Sequence, residues 1–166
     1  MTGPDVTSRS ATGRRTSLRS LIGSGDRIAL FTLPFVLVTL AVWAFDPSRV
    51  AVDGSSPAVR AIALVVLAVG VVGWAWSAVL ILTLVPKGEL ITTGPFAVVK
   101  HPLYTSVGLL VLPAAGILLG TWLGVVIGVA LYVGARLFAP AEERELRTTF
   151  GARWEAYEQR VVLPWL

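Results

Sequence analysis

The sequence contains no cysteine and a single histidine, His101. The absence of cysteine excludes disulfide bonds, thiol nucleophiles and thiolate metal ligands. One imidazole is too few for a histidine metal cluster, so we predict no metal site. Any chemistry must therefore depend on carboxylates, tyrosine, basic side chains, backbone groups and one imidazole.

Charge is also scarce. Charged residues make up 14% of the 166 positions and hydrophobic residues make up 55%, whereas about a quarter of an average soluble domain is charged. The basic residues form no stripe interleaved with aromatics, so we predict no nucleic-acid partner. This composition instead predicts an integral membrane protein in contact with a lipid bilayer.

Three apolar runs predict the helices. Residues 28–45 and 58–85 each have the length of one transmembrane helix. A single helix over residues 103–139 would be about 55 Å long, far more than a hydrocarbon core of about 30 Å. We therefore expect it to fold back at Gly120-Thr121, with Gly124 and Gly128 allowing close approach of the two arms. The predicted fold is an all-α integral membrane bundle of about four transmembrane helices, with a C-terminal helical hairpin.

The chain divides into three parts. Residues 1–27 are polar, contain five arginines and are predicted to be a disordered tail. Residues 28–85 supply two transmembrane helices, and residues 86–166 supply a loop, the hairpin and a C-terminal cap. The arginines predict a cytoplasmic N-terminus, and an even number of spans returns the C-terminus to that side. We expect a bacterial plasma membrane, and the sequence leaves the oligomeric state open.

Beyond Pro140 the chain becomes polar. Apolar residues recur there at spacings of three or four, the pattern of one face of an amphipathic helix. We predict that this cytosolic tail lies on the membrane surface and bends at Gly151. The face consists of Leu146, Phe150, Trp154, Tyr157 and Val161.

Two polar segments flank the hairpin, GPFAVVKHPLY at 94–104 and EERELRTTFGARWEAYEQRVV at 142–162. A hairpin returns its ends to one membrane face, so the two segments should be neighbours, and ionisable groups at a membrane boundary suggest function. Their order and spacing over residues 90–165 resemble the isoprenylcysteine carboxyl methyltransferase and phospholipid methyltransferase superfamily of membrane enzymes. The sequence departs from that pattern at Phe96, where tyrosine is common, and at Lys100, where arginine is usual.

The resemblance implies a cytosolic pocket for S-adenosylmethionine, capped by the C-terminal segment. Glu142 or Glu143 would accept hydrogen bonds from the ribose hydroxyls or pair with the cofactor's ammonium group. Arg136 and Arg160 would hold an anionic acceptor. The full set of predicted site residues is Lys100, His101, Pro102, Leu103, Tyr104, Glu142 and Glu143 for the cofactor, and Arg136, Tyr157 and Arg160 for catalysis.

The acceptor stays open between a prenylated carboxylate, a phospholipid amine and a small thiol. Membrane sterol reductases, which bind a nicotinamide cofactor, have a related C-terminal arrangement but many more spans. A non-catalytic membrane scaffold is the remaining alternative. A lipid acceptor should enter sideways from the bilayer, and we expect a gap between helices near Pro34, Gly70, Gly73 and Pro113.

Overall fold

The structure, a computed structural model, describes residues 18–52 and 55–164, with side chains from residue 25 onward. Within these ranges the chain is helical and forms only two isolated β-bridges. The predicted all-α class is confirmed. The helices are α1 (Leu18–Phe45), α2 (Pro57–Leu84), the short α3 (Pro95–Val98), α4 (Pro102–Leu118), α5 (Leu123–Phe150) and α6 (Ala152–Glu158).

Three segments of the described chain are long and apolar enough to cross a membrane: Gly25–Phe45, Pro57–Lys87 and Leu123–Phe150. The fourth apolar helix, α4, is shorter. At about 1.5 Å per residue it covers roughly 25 Å, slightly less than a typical hydrocarbon core. The protein is therefore a membrane helical bundle. Helix α4, which corresponds to the third predicted span, is the shortest of the four apolar helices.

The hairpin turns where the sequence predicted. Gly120 has a φ of +68°, a left-handed conformation that glycine adopts without strain. A side chain at Gly124 would collide with the carbonyl of Leu112, and one at Gly128 would collide with the carbonyl of Gly108. The two arms are thus in backbone contact, which only residues without a Cβ permit.

A π-helical segment, Ser106–Val111, lies within α4 immediately before Pro113. Proline has no N–H, so the normal hydrogen bond from position 113 to the carbonyl four residues earlier cannot form. The helix instead widens by one residue in the preceding turn, where Leu112 N–H donates to Val107 O.

The two outer helices lie on opposite sides of the hairpin. Helix α1 packs against α5, where Phe31 lies over Gly134 and its ring meets Phe138 edge-on. Helix α2 packs against α4. Among the described residues, α1 and α2 have at most slight contact with each other, and each packs mainly against the hairpin.

One expectation about acceptor entry is wrong. A Cβ at Gly70 would lie 2.8 Å from the Cβ of Leu110, and a Cβ at Gly73 would lie 2.9 Å from the hydroxyl of Ser106. These glycines therefore bring α2 into close contact with α4. They do not line a gap, because small residues at a helix crossing let the backbones approach until the space is filled.

Two predicted boundaries are also wrong. Helix α1 begins at Leu18, inside the predicted disordered tail, because extending a formed helix is far easier than nucleating one; residues 1–17 lie outside the described part. Helix α5 runs through Pro140 to Phe150 without ending at the edge of the apolar run. Glu142 and Glu143 are therefore deep in a long helix, several turns from its start.

The bundle has two distinct ends. At one, the connection after α1 lies against the hairpin turn, with hydrogen bonds from Val52 N–H to Gly120 O (2.7 Å) and from Trp122 N–H to Val50 O (3.2 Å). At the other, the loop after α2, the end of α5 and the C-terminal segment come together. Gly25, near the start of α1, lines the same cavity as Trp154, so both ends of the described chain lie at this end.

Candidate functional site

The C-terminal segment docks on the loop that follows α2. The Tyr157 hydroxyl donates to Phe96 O at 2.8 Å, and Leu163 N–H donates to Val98 O at 2.8 Å. Val99 and Leu163 form a parallel bridge. These contacts bring together the two polar segments that flank the hairpin, as the sequence predicted.

The apolar face of the tail is turned into the protein, contrary to the prediction that it lies on the membrane. Trp154 is 2% exposed, and Tyr157 and Val161 are also buried. Leu146, Phe150 and Leu90 pack against them. Gly151, with a φ of +52°, ends α5 and turns the chain so that α6 folds back toward the loop. The periodicity identified the face correctly, but burial within the protein satisfies the same pattern as burial in lipid.

A cavity of about 320 Å³ lies beneath this docked segment. Its size is at the lower end of the range for small-molecule sites. Its wall combines aromatic and aliphatic groups with carboxylates, a lysine and the only histidine. The lining residues that bear on function are Gly25, Ile81, Val85, Glu89, Leu90, Phe96, Lys100, His101, Pro102, Leu103, Tyr104, Glu142, Glu145, Phe150, Trp154 and Tyr157.

A chain of ion pairs connects three elements at the edge of the cavity. The Lys100 ammonium, whose side chain is 7% exposed, lies 2.7 Å from Glu158 Oε1 and 3.4 Å from Glu143 Oε2. His101 Nε2 lies 3.4 Å from Glu143 Oε1, and Arg147 Nη2 lies 2.8 Å from Glu158 Oε2. The loop, α5 and α6 are thus held by one network, in which the buried ammonium is neutralised by two carboxylates.

Two pKa shifts follow from this environment. The hydrogen bond from Lys100 holds the pKa of the Glu158 carboxyl below its ordinary value, because it stabilises the ionised form. Burial raises the pKa of the Tyr157 phenol well above its ordinary range, and the nearby Glu143 carboxylate adds to the shift. Tyr157 therefore stays protonated and remains a hydrogen-bond donor to Phe96 O throughout the physiological range.

Seven of the ten predicted site residues line the cavity: Lys100, His101, Pro102, Leu103, Tyr104, Glu142 and Tyr157. Glu143 lies beside it, paired with Lys100 and His101. Arg136 and Arg160 are exposed and are not part of the lining. The structure does not bring these two arginines to the cavity, so their predicted contact with the acceptor has no support in the geometry.

Sequence reasoning missed several lining residues. Glu145, Leu146 and Thr149 continue the helical face of Glu142, so recognising that α5 passes through Pro140 would have found them. Glu158, which belongs to the ion-pair network and not to the lining, was missed because nothing in its local sequence distinguishes it from other surface glutamates. Gly25 also has no local signal; it reaches the cavity only through the packing of α1 on α5.

The chain is similar to one known protein family over much of its length. The model of the isoprenylcysteine carboxyl methyltransferase (ICMT) family matches residues 54–148, more than half of the chain. That range contains α2, the motif loop, the hairpin and the acidic part of α5. No curated protein and no solved structure matches the chain. The family match agrees with the membrane bundle and with the loop and hairpin that carry the motif, and the chain belongs to the isoprenylcysteine carboxyl methyltransferase family of membrane methyltransferases.

Proposed function

We propose that the protein transfers a methyl group from S-adenosylmethionine to a lipid-like acceptor within the membrane. The observation that carries the proposal is the position of the cavity. The two motif segments form its wall on the polar side, and it reaches Gly25 of α1 and Ile81 at the end of α2, two helices that have at most slight contact with each other in the described chain.

The residues present fit this cofactor. S-adenosylmethionine supplies an electrophilic methyl group on a positively charged sulfur. Glu89, Glu142 and Glu145 line the cavity, and its one lysine is already paired with carboxylates. The cavity therefore favours a cation. Carboxylates also accept hydrogen bonds from ribose hydroxyls, and aromatic rings attract a cation across their faces.

The indole N–H of Trp154 is a second feature of the cavity wall that suits a polar ligand. This group is buried and has no acceptor among the described residues. A buried donor without an acceptor carries a free-energy cost of about 1–3 kcal/mol. Trp154 is in the wall of the cavity, so we propose that an acceptor atom of the ligand, or a small shift on binding, satisfies this group.

The position between α1 and α2 favours a lipid among the three acceptor classes. Ile81, Val85 and Leu103 make the wall apolar where it approaches these helices. Moving a hydrocarbon chain through water costs about 0.8 kcal/mol for each exposed methylene. A route from the bilayer between α1 and α2 avoids that cost. We propose this gap as the lateral entry, in place of the one first expected at Gly70 and Gly73.

The chain's own residues then bind, orient and exclude water. Glu142 accepts hydrogen bonds from the cofactor, and Glu143 holds His101 and Lys100 in position. Lys100 also ties α6 down through Glu158, and Tyr157 ties it through Phe96 O. We propose that Tyr157 positions the cap, since its hydroxyl already donates to a backbone carbonyl. Methyl transfer to a carboxylate needs no strong base, so orientation and exclusion of water suffice.

Calorimetry with S-adenosylmethionine on the purified full-length protein tests the cofactor. Glu142→Gln, or Glu143→Gln, should weaken binding by about 1.5–3 kcal/mol, the scale of a hydrogen bond to a charged group. His101→Ala should also weaken it. Glu155→Gln is the matched control, because Glu155 is exposed on α6 and does not line the cavity. If all three site variants bind like the parent protein, the cofactor assignment is wrong.

A bulky residue in the proposed gap should distinguish an effect on acceptor entry from an effect on cofactor binding. Gly25→Leu should slow turnover of a long-chain acceptor about tenfold or more while leaving a short, water-soluble analogue less affected. An equal loss for both acceptors would show that Gly25 serves the cofactor or the fold. Among the described side chains outside α1, a Cβ at Gly25 would have one neighbour within 4 Å, the Tyr104 hydroxyl at 3.5 Å, so the substitution should not force α1 away from α5.

A further inference from the structure

A second cleft of about 320 Å³ lies on the other face of the docked C-terminal segment. Leu90 and Tyr157 line both this cleft and the cofactor cavity, so they form part of the wall between them. Arg153 and Arg160 border the cleft together with Thr92. The cleft is thus separate from the candidate methyl-transfer site and has a different character.

The two arginines are placed together by their spacing. Positions 153, 156, 157 and 160 recur at intervals of three and four, so they share one face of α6 and its following turn. Within the described residues, neither Arg153 nor Arg160 pairs with a carboxylate, whereas Lys100 and Arg147 do. Two cationic groups therefore border one cleft without a neutralising partner in that part of the chain.

The cleft lies near the end of a candidate membrane span, because Leu90 and Thr92 follow the last residue of that span, Lys87, by three and five positions. A Cβ at Gly94 would lie 3.0 Å from the ring of Trp76 and 3.2 Å from Leu80. Helix α2 ends only at Leu84, so the loop folds back along the helix by about one to two turns, roughly 6–12 Å. Trp76 is exposed and belongs to the candidate membrane span Pro57–Lys87.

The cleft has an apolar lining, and two exposed valines directly follow lining residues in sequence. The apolar residues of that lining are Leu90, Ala97, Ala156 and Val161. Val98 is 46% exposed and Val162 is 67% exposed. Val98 is the last residue of α3, and Val162 directly precedes Leu163, whose N–H donates to Val98 O. An apolar lining, two arginines and two nearby valines match an amphiphile with an anionic group attached to hydrocarbon. A free anion would make no use of the valines.

We propose that this cleft binds the phosphate group of an anionic phospholipid, with Arg153 and Arg160 as its cationic partners and Val98 and Val162 against its acyl region. Guanidinium groups bind phosphate through paired, charge-assisted hydrogen bonds. The bound lipid anchors the C-terminal segment to the leaflet on its own side of the membrane. Arg160 thereby binds an anion, as its sequence context suggested, but the anion is a headgroup outside the methyl-transfer cavity. The proposal does not depend on the proposed function.

Native mass spectrometry of the full-length protein in an uncharged detergent tests the site. The probes are phosphatidylglycerol, phosphatidylcholine and inorganic phosphate. One phosphatidylglycerol should be retained in preference to phosphatidylcholine. Arg153→Gln and Arg160→Gln should each weaken retention about fivefold, and together about twenty-five-fold, the effect of one basic residue per step near an anionic surface. Arg153→Lys with Arg160→Lys should retain most of the binding.

Arg144→Gln is the matched control. Arg144 is an exposed arginine at the same end of the molecule that borders neither cavity, and its guanidinium donates to Pro140 O at 3.0 Å. The Arg144→Gln substitution should leave the retention of phosphatidylglycerol unchanged. Equal retention by the double glutamine variant and the parent would overturn the proposal, as would equal binding of phosphatidylcholine. Displacement of the lipid by an equal concentration of inorganic phosphate would also overturn it, because the site would then be one for free anions. If the double variant does not fold, the single variants decide.

Discussion

At one end of the bundle the connection between α1 and α2 lies against the hairpin turn, and at the other the loop after α2 lies against the C-terminal segment. The first junction uses backbone hydrogen bonds between residues 50–52 and 120–122. Its ion pair joins Asp46 and Arg49, three residues apart and exposed. Such a pair restrains a local turn but does not connect distant segments.

The second junction combines backbone hydrogen bonds with charges that are far apart in sequence. Lys100 meets Glu143 and Glu158, which are 43 and 58 positions away, and its side chain is nearly buried. Paired charges that lie away from water are sensitive to the loss of one partner. In the described chain both ends are held by backbone pairing, but the cavity end also has ion pairs between distant segments, so removing a charge should affect the two ends unequally.

The largest effect should come from Lys100→Met. Removing the ammonium leaves Glu143 and Glu158 close together without their shared partner, a loss of about 3–5 kcal/mol for breaking a buried pair. Unfolding in mixed micelles should show this loss, and S-adenosylmethionine binding should fall below detection. Lys87→Met is the control, because Lys87 is exposed on the same loop and lies outside the network.

Lys100→Arg sharpens the same test. It restores the charge, so the unfolding free energy should largely recover. The planar guanidinium has a different shape, and cofactor affinity reports whether the pocket accepts it. A Lys100→Met protein as stable as its Lys87→Met control would show that the network does not close the cavity end.

The sequence predicted the hairpin well because its evidence was local and strong. A run too long for one helix, with Gly120 at its middle and glycines on its second arm, leaves little choice of turn. Prediction failed where tertiary packing decided. The apolar run ends at residue 139, yet the helix continues to Phe150, because Pro140 removes one hydrogen bond and packing stabilises the turns that follow. The stripe of Trp154 and Tyr157 was predicted to meet lipid because periodicity cannot distinguish a membrane surface from a protein surface.

For the site, the motif residues from Lys100 to Tyr104 lie together in the cavity wall because they are contiguous. Arg136 and Arg160 were assigned from charge alone, and the charge pattern does not specify which helix face turns toward the cavity. Glu158 could not be predicted because its role depends on the turn at Gly151, which brings α6 back to Lys100. A contact between distant residues that depends on a turn of the chain produces no pattern in the neighbouring sequence.

A smaller effect is expected from Glu158→Gln. This carboxylate accepts from both Lys100 and Arg147 but is partly exposed, so we expect a loss of about 1–2 kcal/mol. Limited proteolysis should show faster cleavage of the C-terminal segment. Glu155→Gln, an exposed glutamate of the same helix, should behave like the parent.

The pH dependence of Glu158 gives an independent check. Its folded-state pKa is lowered from an ordinary value of 4.5, so its contribution is fully present above that value. It is lost as the pH falls through the lower folded-state pKa. The stability difference between parent and Glu158→Gln should therefore be constant near neutral pH and shrink below about pH 4.5. A difference that instead grows in acid would contradict the assigned pair.

The smallest effect is expected from Asp46→Asn at the opposite end. The Asp46 carboxylate accepts from Ser48 and Arg49, and these hydrogen bonds lower its pKa. It is exposed, however, and water replaces both partners readily, so neither the unfolding midpoint nor cofactor affinity should move beyond experimental scatter. The backbone bonds to Gly120 and Val50 remain, because they involve no side chain of Asp46. A shift as large as that of Glu158→Gln would mean that surface charge also closes this end, and the contrast between the two ends would have to be abandoned.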